Sequence, residues 1–153
     1  TNKKETEFVA VLVKPNNEIL ENIKNLNFDY YQIYDCSPRK IKYIKLKYNK
    51  KIISAITVES KLDVNKYKEF VPFSEIILFD SKGYDKSMGF NHNLLQNIPH
   101  NLKKMIAGNI KINDISNFKN KNFIIDLSGA LENIAGKKNK NKINKFLMEV
   151  KKL

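Results

Sequence analysis

Short apolar runs alternate with segments of helical periodicity along the chain, and this alternation restricts the fold more than any other feature. Segments whose apolar residues recur every three or four positions predict about six helices, the last over 139–152. Strands that are apolar on both faces and separated by helices are typical of a parallel sheet. The sequence therefore predicts an α/β fold, either an open doubly wound sheet or a closed (β/α)8 barrel. The six predicted strands are 8–13, 30–34, 52–58, 75–79, 103–108 and 122–126.

Nucleotide-binding and metal-binding motifs are absent from the sequence. No Gly-x-Gly-x-x-Gly follows a predicted strand, and no P-loop lysine motif is present. The single Cys36 excludes an internal disulfide pair, and the two histidines, His92 and His100, lack ligand spacing. These absences leave a dinucleotide fold and a structural metal site without support.

The formal net charge of +12 raises the question of a polyanionic partner. Of the 28 basic residues only Arg39 is an arginine, and the lysines are spread over every predicted helix and loop. Arginine is the residue expected where bases or phosphates are held by two parallel hydrogen bonds. We therefore expect no nucleic-acid partner, and a small anionic substrate fits the charge equally well. No apolar run approaches the ~20 residues of a membrane helix, so we expect a cytoplasmic protein without a membrane partner.

Polar residues stand at or near the carboxyl ends of four predicted strands. Gln32 lies inside the second strand and Asp80 ends the fourth. Such strand ends converge on one face in both candidate folds, and that face carries the functional site. A single aspartate there is more often a turn or cap residue, but four strands together indicate a site. The remaining candidates are Gly108 and Asn109 after the fifth strand, and Asp126, Ser128 and Gly129 after the sixth.

Several of these stretches resemble motifs of the phosphoribosylanthranilate isomerase family, (β/α)8 TIM barrels of tryptophan biosynthesis. The most specific is IIDLSGALENIAGKK, which aligns without gaps to Asp-Val-Ser-Ser-Gly-Val-Glu, a short spacer and Gly-Lys-Lys-Asp. EIILFDSK is similar to the strand-six motif, MIAGNI to the Ala-Gly-Gly-Leu motif, and Gln32 to the glutamine of Val-Gln-Leu-His-Gly. The resemblance covers nearly all 153 residues as one domain, the third to eighth βα units of a truncated barrel.

The resemblance implies a chemistry and a role for each candidate. Asp80 would be the general acid that protonates the ribose ring oxygen, so that the furanose opens to a Schiff base. A base then removes the C2 proton and the enolamine becomes the ketose, an Amadori rearrangement that needs no cofactor. Gln32 and Asp126 would bind the phosphorylated small-molecule substrate. The phosphate would lie on backbone N–H groups of Gly108, Asn109, Ser128 and Gly129, with help from a short helix near 131–134.

The sequence also departs from the family pattern. The family base is a cysteine at the end of the first strand, and an arginine on the second strand holds the anthranilate carboxylate. The match starts at the third unit, so we expect both residues in a missing N-terminal segment and expect the 153-residue chain to be inactive alone. Cys36 lies past the second predicted strand here and is not a convincing substitute. The glycine-rich loop after the acid is shortened to KGYDKSMGFNH, and His-Gly after the glutamine becomes Tyr34-Asp35.

Two other functions stay open. One is a related phosphate-binding barrel, which either takes another sugar phosphate as its substrate or has lost its activity. The other is a non-enzymatic basic binding module, which predicts nucleic-acid affinity that falls steeply with salt. A substrate without the anthranilate ring should bind poorly to the isomerase, which separates it from the related barrel.

Overall fold

The computed structural model of the protein describes residues 6–82, 89–119 and 121–153. Six strands of this part form one sheet in which every neighbouring pair is parallel and the strand order follows the chain. A doubly wound sheet reverses its strand order at a switch point, and this sheet does not. The observed order is that of a (β/α)8 barrel. The strands are β1 (Val9–Val13), β2 (Tyr30–Tyr34), β3 (Lys51–Val58), β4 (Ile76–Ser81), β5 (Lys104–Ile106) and β6 (Phe123–Ile125).

Helical segments follow the strands, as the periodicity predicts. Several begin at a side-chain cap, for example Ser37, whose hydroxyl accepts a hydrogen bond from the Lys40 amide before the Pro38 start of its helix. The predicted helices after β4 and β5 are 3₁₀ helices, His92–Leu95 and Ile112–Phe118. The α-helices are α1 (Asn17–Ile23), α2 (Pro38–Tyr48), α3 (Lys61–Asn65), α4 (Tyr67–Phe70) and α5 (Lys140–Val150), with further 3₁₀ turns at Val71–Phe73 and Gly129–Leu131.

The predicted short helix near 131–134 is wrong. Glu132–Ile134 forms a strand, β7, that pairs antiparallel with β8 (Lys137–Lys138). Two residues connect these strands, and the second of them, Gly136, has a φ of +79°, which favours glycine in a tight turn. The Glu132 carboxylate accepts a hydrogen bond of 2.9 Å from the Gly136 amide and so holds the turn.

Alternate side chains of each strand point to opposite sides of the sheet, and both sides carry clusters of buried apolar residues. Outward-pointing residues pack under the helices in two clusters that include Ile33, Ile52 and Phe79. Inward-pointing residues form a third cluster on the concave side: Tyr30, Tyr34, Ile53, Ile76, Leu78 and Ala107. This inner cluster ends at the carboxyl ends of the strands, directly below the candidate site.

Within the described residues, β1 pairs with β2 alone and β6 with β5 alone. The three valines of β1 that lie on its inner side, Val9, Val11 and Val13, are exposed, and α5 has no buried residue. These are the unpaired edges expected for six strands of an eight-stranded barrel. No helix in this part of the chain is long and apolar enough to cross a membrane.

Candidate active site

A pocket of about 620 Å³ opens at the carboxyl ends of the strands. Its floor is the inner face of the sheet and its walls are the loops that follow β5 and β6. All seven residues predicted from the sequence to form the site line it. The pocket-lining residues on the strands are Val11, Val13, Gln32, Tyr34, Asp80 and Ser81, and those in the loops are Ala107, Gly108, Asn109, Ile110, Lys111, Asp126, Leu127, Ser128, Gly129 and Ala130.

Strand alternation explains why Asp80 faces this pocket. In β4, Ile76 and Leu78 belong to the inner cluster, while Ile77 and Phe79 pack outward under the helices. Asp80 is the next inward-facing position and the last one before the strand ends at Ser81. The strand therefore places one half-buried carboxylate on the pocket floor, on a rigid element.

Both oxygens of Asp80 accept hydrogen bonds. The Tyr34 hydroxyl donates to Oδ2 at 2.9 Å, and the Ser81 amide donates to Oδ1 at 2.7 Å. Behind the phenol, Nε2 of the buried Gln32 donates to the Tyr34 oxygen at 3.2 Å. Burial, the charge of Asp80 and the hydrogen bond to it raise the pKa of Tyr34 well above its usual range, so the phenol keeps its proton. The three side chains form one directed chain of hydrogen bonds.

Asp126 is the second carboxylate of the pocket. It follows β6, where its backbone amide donates to the Ile106 carbonyl at 2.9 Å and continues the sheet. Burial raises the pKa of this carboxyl, as does the negative charge of Asp80, and Lys138 acts in the opposite direction. The 3₁₀ turn at Gly129–Leu131 is preceded by Ser128, so Asp126 does not cap it. Its environment thus favours the protonated form more than an exposed aspartate's does.

The two loops that form the predicted phosphate site are held in different ways, one by its backbone conformation and the other by side-chain contacts. After β5, Gly108 and Asn109 both adopt left-handed backbone conformations, with φ of +86° and +52°. After β6, Ser128 and Gly129 are exposed, and Lys138 from the β7–β8 hairpin donates to the Ser128 carbonyl and hydroxyl, each at 3.0 Å. The hairpin that replaces the expected helix therefore brings a lysine to this loop, and it holds the loop through side-chain contacts.

Cys36 and Asp35 lie away from the pocket lining. Cys36 packs against the helix-side cluster of β1, β2 and β3, and burial raises the pKa of its thiol, which disfavours the reactive thiolate. Asp35, just past β2, pairs with Lys14 at 3.8 Å on the surface. The shortened loop after the acid lies partly outside the described residues, since 83–88 are not among them.

Two residues of the site, Tyr34 and Lys138, were not among the sequence candidates. Tyr34 is two positions after Gln32, and the two-residue period of a strand places both on one face. The two-residue spacing of Gln32 and Tyr34 could have identified Tyr34, but a search limited to strand ends overlooks it. The contact of Lys138 depends on the hairpin, for which the sequence gives little indication beyond Gly136.

The chain matches the family model described as N-(5'phosphoribosyl)anthranilate (PRA) isomerase over residues 1–149. It is 32% identical to the N-(5'-phosphoribosyl)anthranilate isomerase of Campylobacter jejuni, over 98% of this chain and 75% of that protein. It is 25% identical to the protein of the same name from Agrobacterium fabrum, over 90% of this chain and 68% of that protein.

Solved structures of similar fold carry the same name. Phosphoribosyl anthranilate isomerase of Thermus thermophilus has a TM-score of 0.80 at 14% identity, covering 96% of this chain and 73% of that one. A further structure, with a TM-score of 0.76, 20% identity and coverage of 95% of this chain and 71% of that one, is a complex with reduced 1-(o-carboxyphenylamino)-1-deoxyribulose 5-phosphate. These likenesses confirm the (β/α)8 class of the six-stranded sheet. With the family match over nearly its whole length, the chain belongs to the N-(5'-phosphoribosyl)anthranilate isomerase family.

Proposed function

We propose that this protein converts N-(5'-phosphoribosyl)anthranilate to the 1-deoxyribulose 5-phosphate adduct, a step of tryptophan biosynthesis, in the cytoplasm. The observation that carries the proposal is the fixed carboxylate of Asp80 on the floor of a pocket that contains the predicted phosphate loops. The family match and the named relatives support the same reaction. The site residues are assigned from motif position and from the geometry of the pocket.

Asp80 is the proposed general acid. Opening of the furanose needs a proton on the ring oxygen as the bond from C1 to that oxygen breaks, and the nitrogen lone pair then forms the Schiff base. A carboxylic acid held on a strand end supplies that proton from a defined direction. The position of Asp80, at the end of β4 and facing the centre of the pocket, supports this role.

The same pocket supports binding of a phosphorylated sugar. One side of the pocket is lined by the two predicted phosphate loops, which contribute Gly108, Asn109, Ser128 and Gly129. Small residues let N–H groups approach a phosphate, and such loops after the last two strands are the common phosphate site of these barrels. Asp126 lies beside them and is placed to bind a sugar hydroxyl or the amine, while Gln32 holds Tyr34 from below.

The C2 proton transfer needs a base. Cys36 does not supply it, because its side chain packs against the helix-side cluster and is not part of the pocket lining. We retain the expectation that the base is a cysteine at the end of the family's first strand.

The test follows the loss of fluorescence of the anthranilate adduct as the protein turns it over. Asp80→Asn keeps the shape and removes the acid, so turnover should fall by roughly 10²-fold or more. Binding of the reduced deoxyribulose phosphate analogue should stay within about threefold, since the pocket is unchanged. Glu69→Gln, an exposed carboxylate on α4, is the matched control and should change neither.

Three outcomes would contradict parts of the proposal. Full turnover in Asp80→Asn would remove Asp80 from the role of acid. A folded wild type that neither turns over the adduct nor binds the analogue would exclude the isomerase. Equal affinity for ribulose 5-phosphate, which lacks the anthranilate ring, would favour the related barrel with another sugar phosphate.

A further inference from the structure

The Tyr34 phenol lies between the Gln32 amide and the Asp80 carboxylate, at the carboxyl ends of β2 and β4. We propose that Tyr34 is a positioning residue: its hydroxyl holds the Asp80 carboxyl in the orientation that faces the pocket. The catalytic consequence rests on the proposed function. The effect on Asp80 itself rests on the contact alone and can be measured without turnover.

The direction of the hydrogen bonds supports this role. Gln32 Nε2 donates to the phenol oxygen, and the phenol in turn donates its proton to Asp80 Oδ2. Tyr34 is 7% exposed, and it stays protonated because burial and the nearby negative charge disfavour the phenolate. A buried phenol that keeps its proton acts as a hydrogen-bond donor to Asp80 and fixes one of its two oxygens.

The sheet makes this contact possible across an intervening strand. β3 lies between β2 and β4, and its inner residues at this level, Ala55 and Thr57, are small. Tyr34 therefore reaches Asp80 over β3. With the Ser81 amide on Oδ1 and the phenol on Oδ2, the rotation of the carboxyl plane is fixed from both sides.

The test is Tyr34→Phe, which removes one hydroxyl from the buried site. Carboxyl ¹³C NMR of aspartate-labelled protein, with the Asp80 resonance assigned by its loss in Asp80→Asn, reports this contact directly. We expect the Asp80 resonance to shift at fixed pH when the phenol hydroxyl is removed. Tyr34→His, which provides an N–H donor, should reverse part of the shift. We also expect kcat to be lowered with KM nearly unchanged, because the carboxyl is less well oriented while the pocket is the same.

Tyr48→Phe is the matched control, because its hydroxyl also donates to a carboxylate, Glu21 at 2.9 Å, on the outer surface. It should leave the Asp80 resonance unchanged. An unchanged Asp80 resonance in a folded Tyr34→Phe protein would overturn the proposal, even if Asp80→Asn abolished turnover. A shifted resonance in a protein without isomerase activity would keep the role of Tyr34 and reject the proposed function, so the two failures are distinguishable.

Discussion

The backbone of Gly108 lies directly against Ser81, the residue that follows the proposed acid. A β-carbon at position 108 would stand 3.0 Å from the Ser81 amide nitrogen and 3.1 Å from the Ser81 β-carbon. The same amide donates the 2.7 Å hydrogen bond to Asp80 Oδ1. The loop after β5 and the end of β4 therefore fix each other's position, and the contact requires a residue without a side chain.

Gly108→Ala should destabilise the protein by about 1–3 kcal/mol. Two causes act together: the φ of +86° is strained for alanine, and the new methyl group would collide with the backbone of β4. Displacement of Ser81 would also disturb Asp80, so affinity for the reduced substrate analogue should fall. Urea unfolding and fluorescence titration measure the two effects.

Gly129→Ala provides the control within the same proposed phosphate site. A β-carbon there meets nothing within 4 Å, and φ at this position is not left-handed. Its stability should stay within about 0.5 kcal/mol of wild type. An equal loss in both variants would show that close packing against Ser81 is not the cause.

The strands could be predicted because burial on both faces leaves an unambiguous apolar run, as in β3 and β4. The segment around Leu131 could not, because Leu131 and Ile134 are three positions apart, a spacing that fits a helix, and the stretch is too short to separate helix from strand. The residues that decide it follow this stretch: Glu132 accepts a hydrogen bond from the Gly136 amide, and the hairpin pairs around that turn. A four-residue window carries no such information.

The candidate site follows the same division. The convergence of Asp80, Asp126 and the small loop residues on one pocket could be predicted, since the carboxyl ends of parallel strands meet on one face. The contact of Tyr34 with Asp80 was not, because the two residues are 46 positions apart and lie on strands that are not neighbours. It depends on the strand registers and on the small residues of β3 between them.

Lys138 should matter for phosphate affinity. Its ammonium group donates to the Ser128 carbonyl and hydroxyl and pairs with Glu132, so it fixes the loop that carries Gly129. Lys138→Met keeps the length of the side chain and removes these contacts and the charge. We expect severalfold weaker binding of the reduced analogue, measured by fluorescence titration.

The neighbouring Lys137 supplies the comparison. It lies on the same short strand, β8, and is exposed. Lys137→Met removes the same formal charge from the hairpin and should leave the affinity within about twofold. Equal weakening in both variants would assign the effect to net charge and not to the hold on Ser128.

His92 should make the protein less stable in mild acid. Its ring packs edge-on to Phe90 and at a tilt to Phe118, and within the described residues its buried Nε2 has no hydrogen-bond partner. Burial lowers the pKa of His92 below its ordinary value of 6.5. A lowered folded-state pKa contributes stability above the unfolded value, and this is lost as the pH falls through the folded value.

Thermal unfolding at pH 7.5 and 5.0 measures this effect. His92→Phe should show a smaller loss of Tm between the two pH values than wild type, because phenylalanine does not titrate. His100→Gln, on the exposed surface, should keep the wild-type difference. An identical pH dependence in wild type and His92→Phe would place the acid sensitivity elsewhere.

Asp126 should reduce stability as the pH rises, in the opposite sense to His92. Burial raises its pKa above the ordinary aspartate value of 3.8, with the charge of Asp80 adding to the shift. A raised folded-state pKa contributes stability at acid pH that is lost as the pH rises through the folded value, because the folded protein must then hold a buried negative charge. Asp126→Asn, a neutral group of the same shape, should therefore unfold at a higher urea concentration than wild type at pH 8.

At pH 3.5, which lies below the ordinary aspartate pKa value of 3.8, little of the buried negative charge remains, so the stabilities of the two proteins should differ least. Glu69→Gln, at an exposed position, should show no such pH-dependent gain. The stabilised Asp126→Asn protein should bind the reduced analogue more weakly if the carboxylate holds the sugar or the amine, so stability and affinity would change in opposite directions. If the difference in unfolding free energy between Asp126→Asn and wild type were constant from pH 3.5 to 8, burial of the Asp126 charge would not be the cause of the lower wild-type stability.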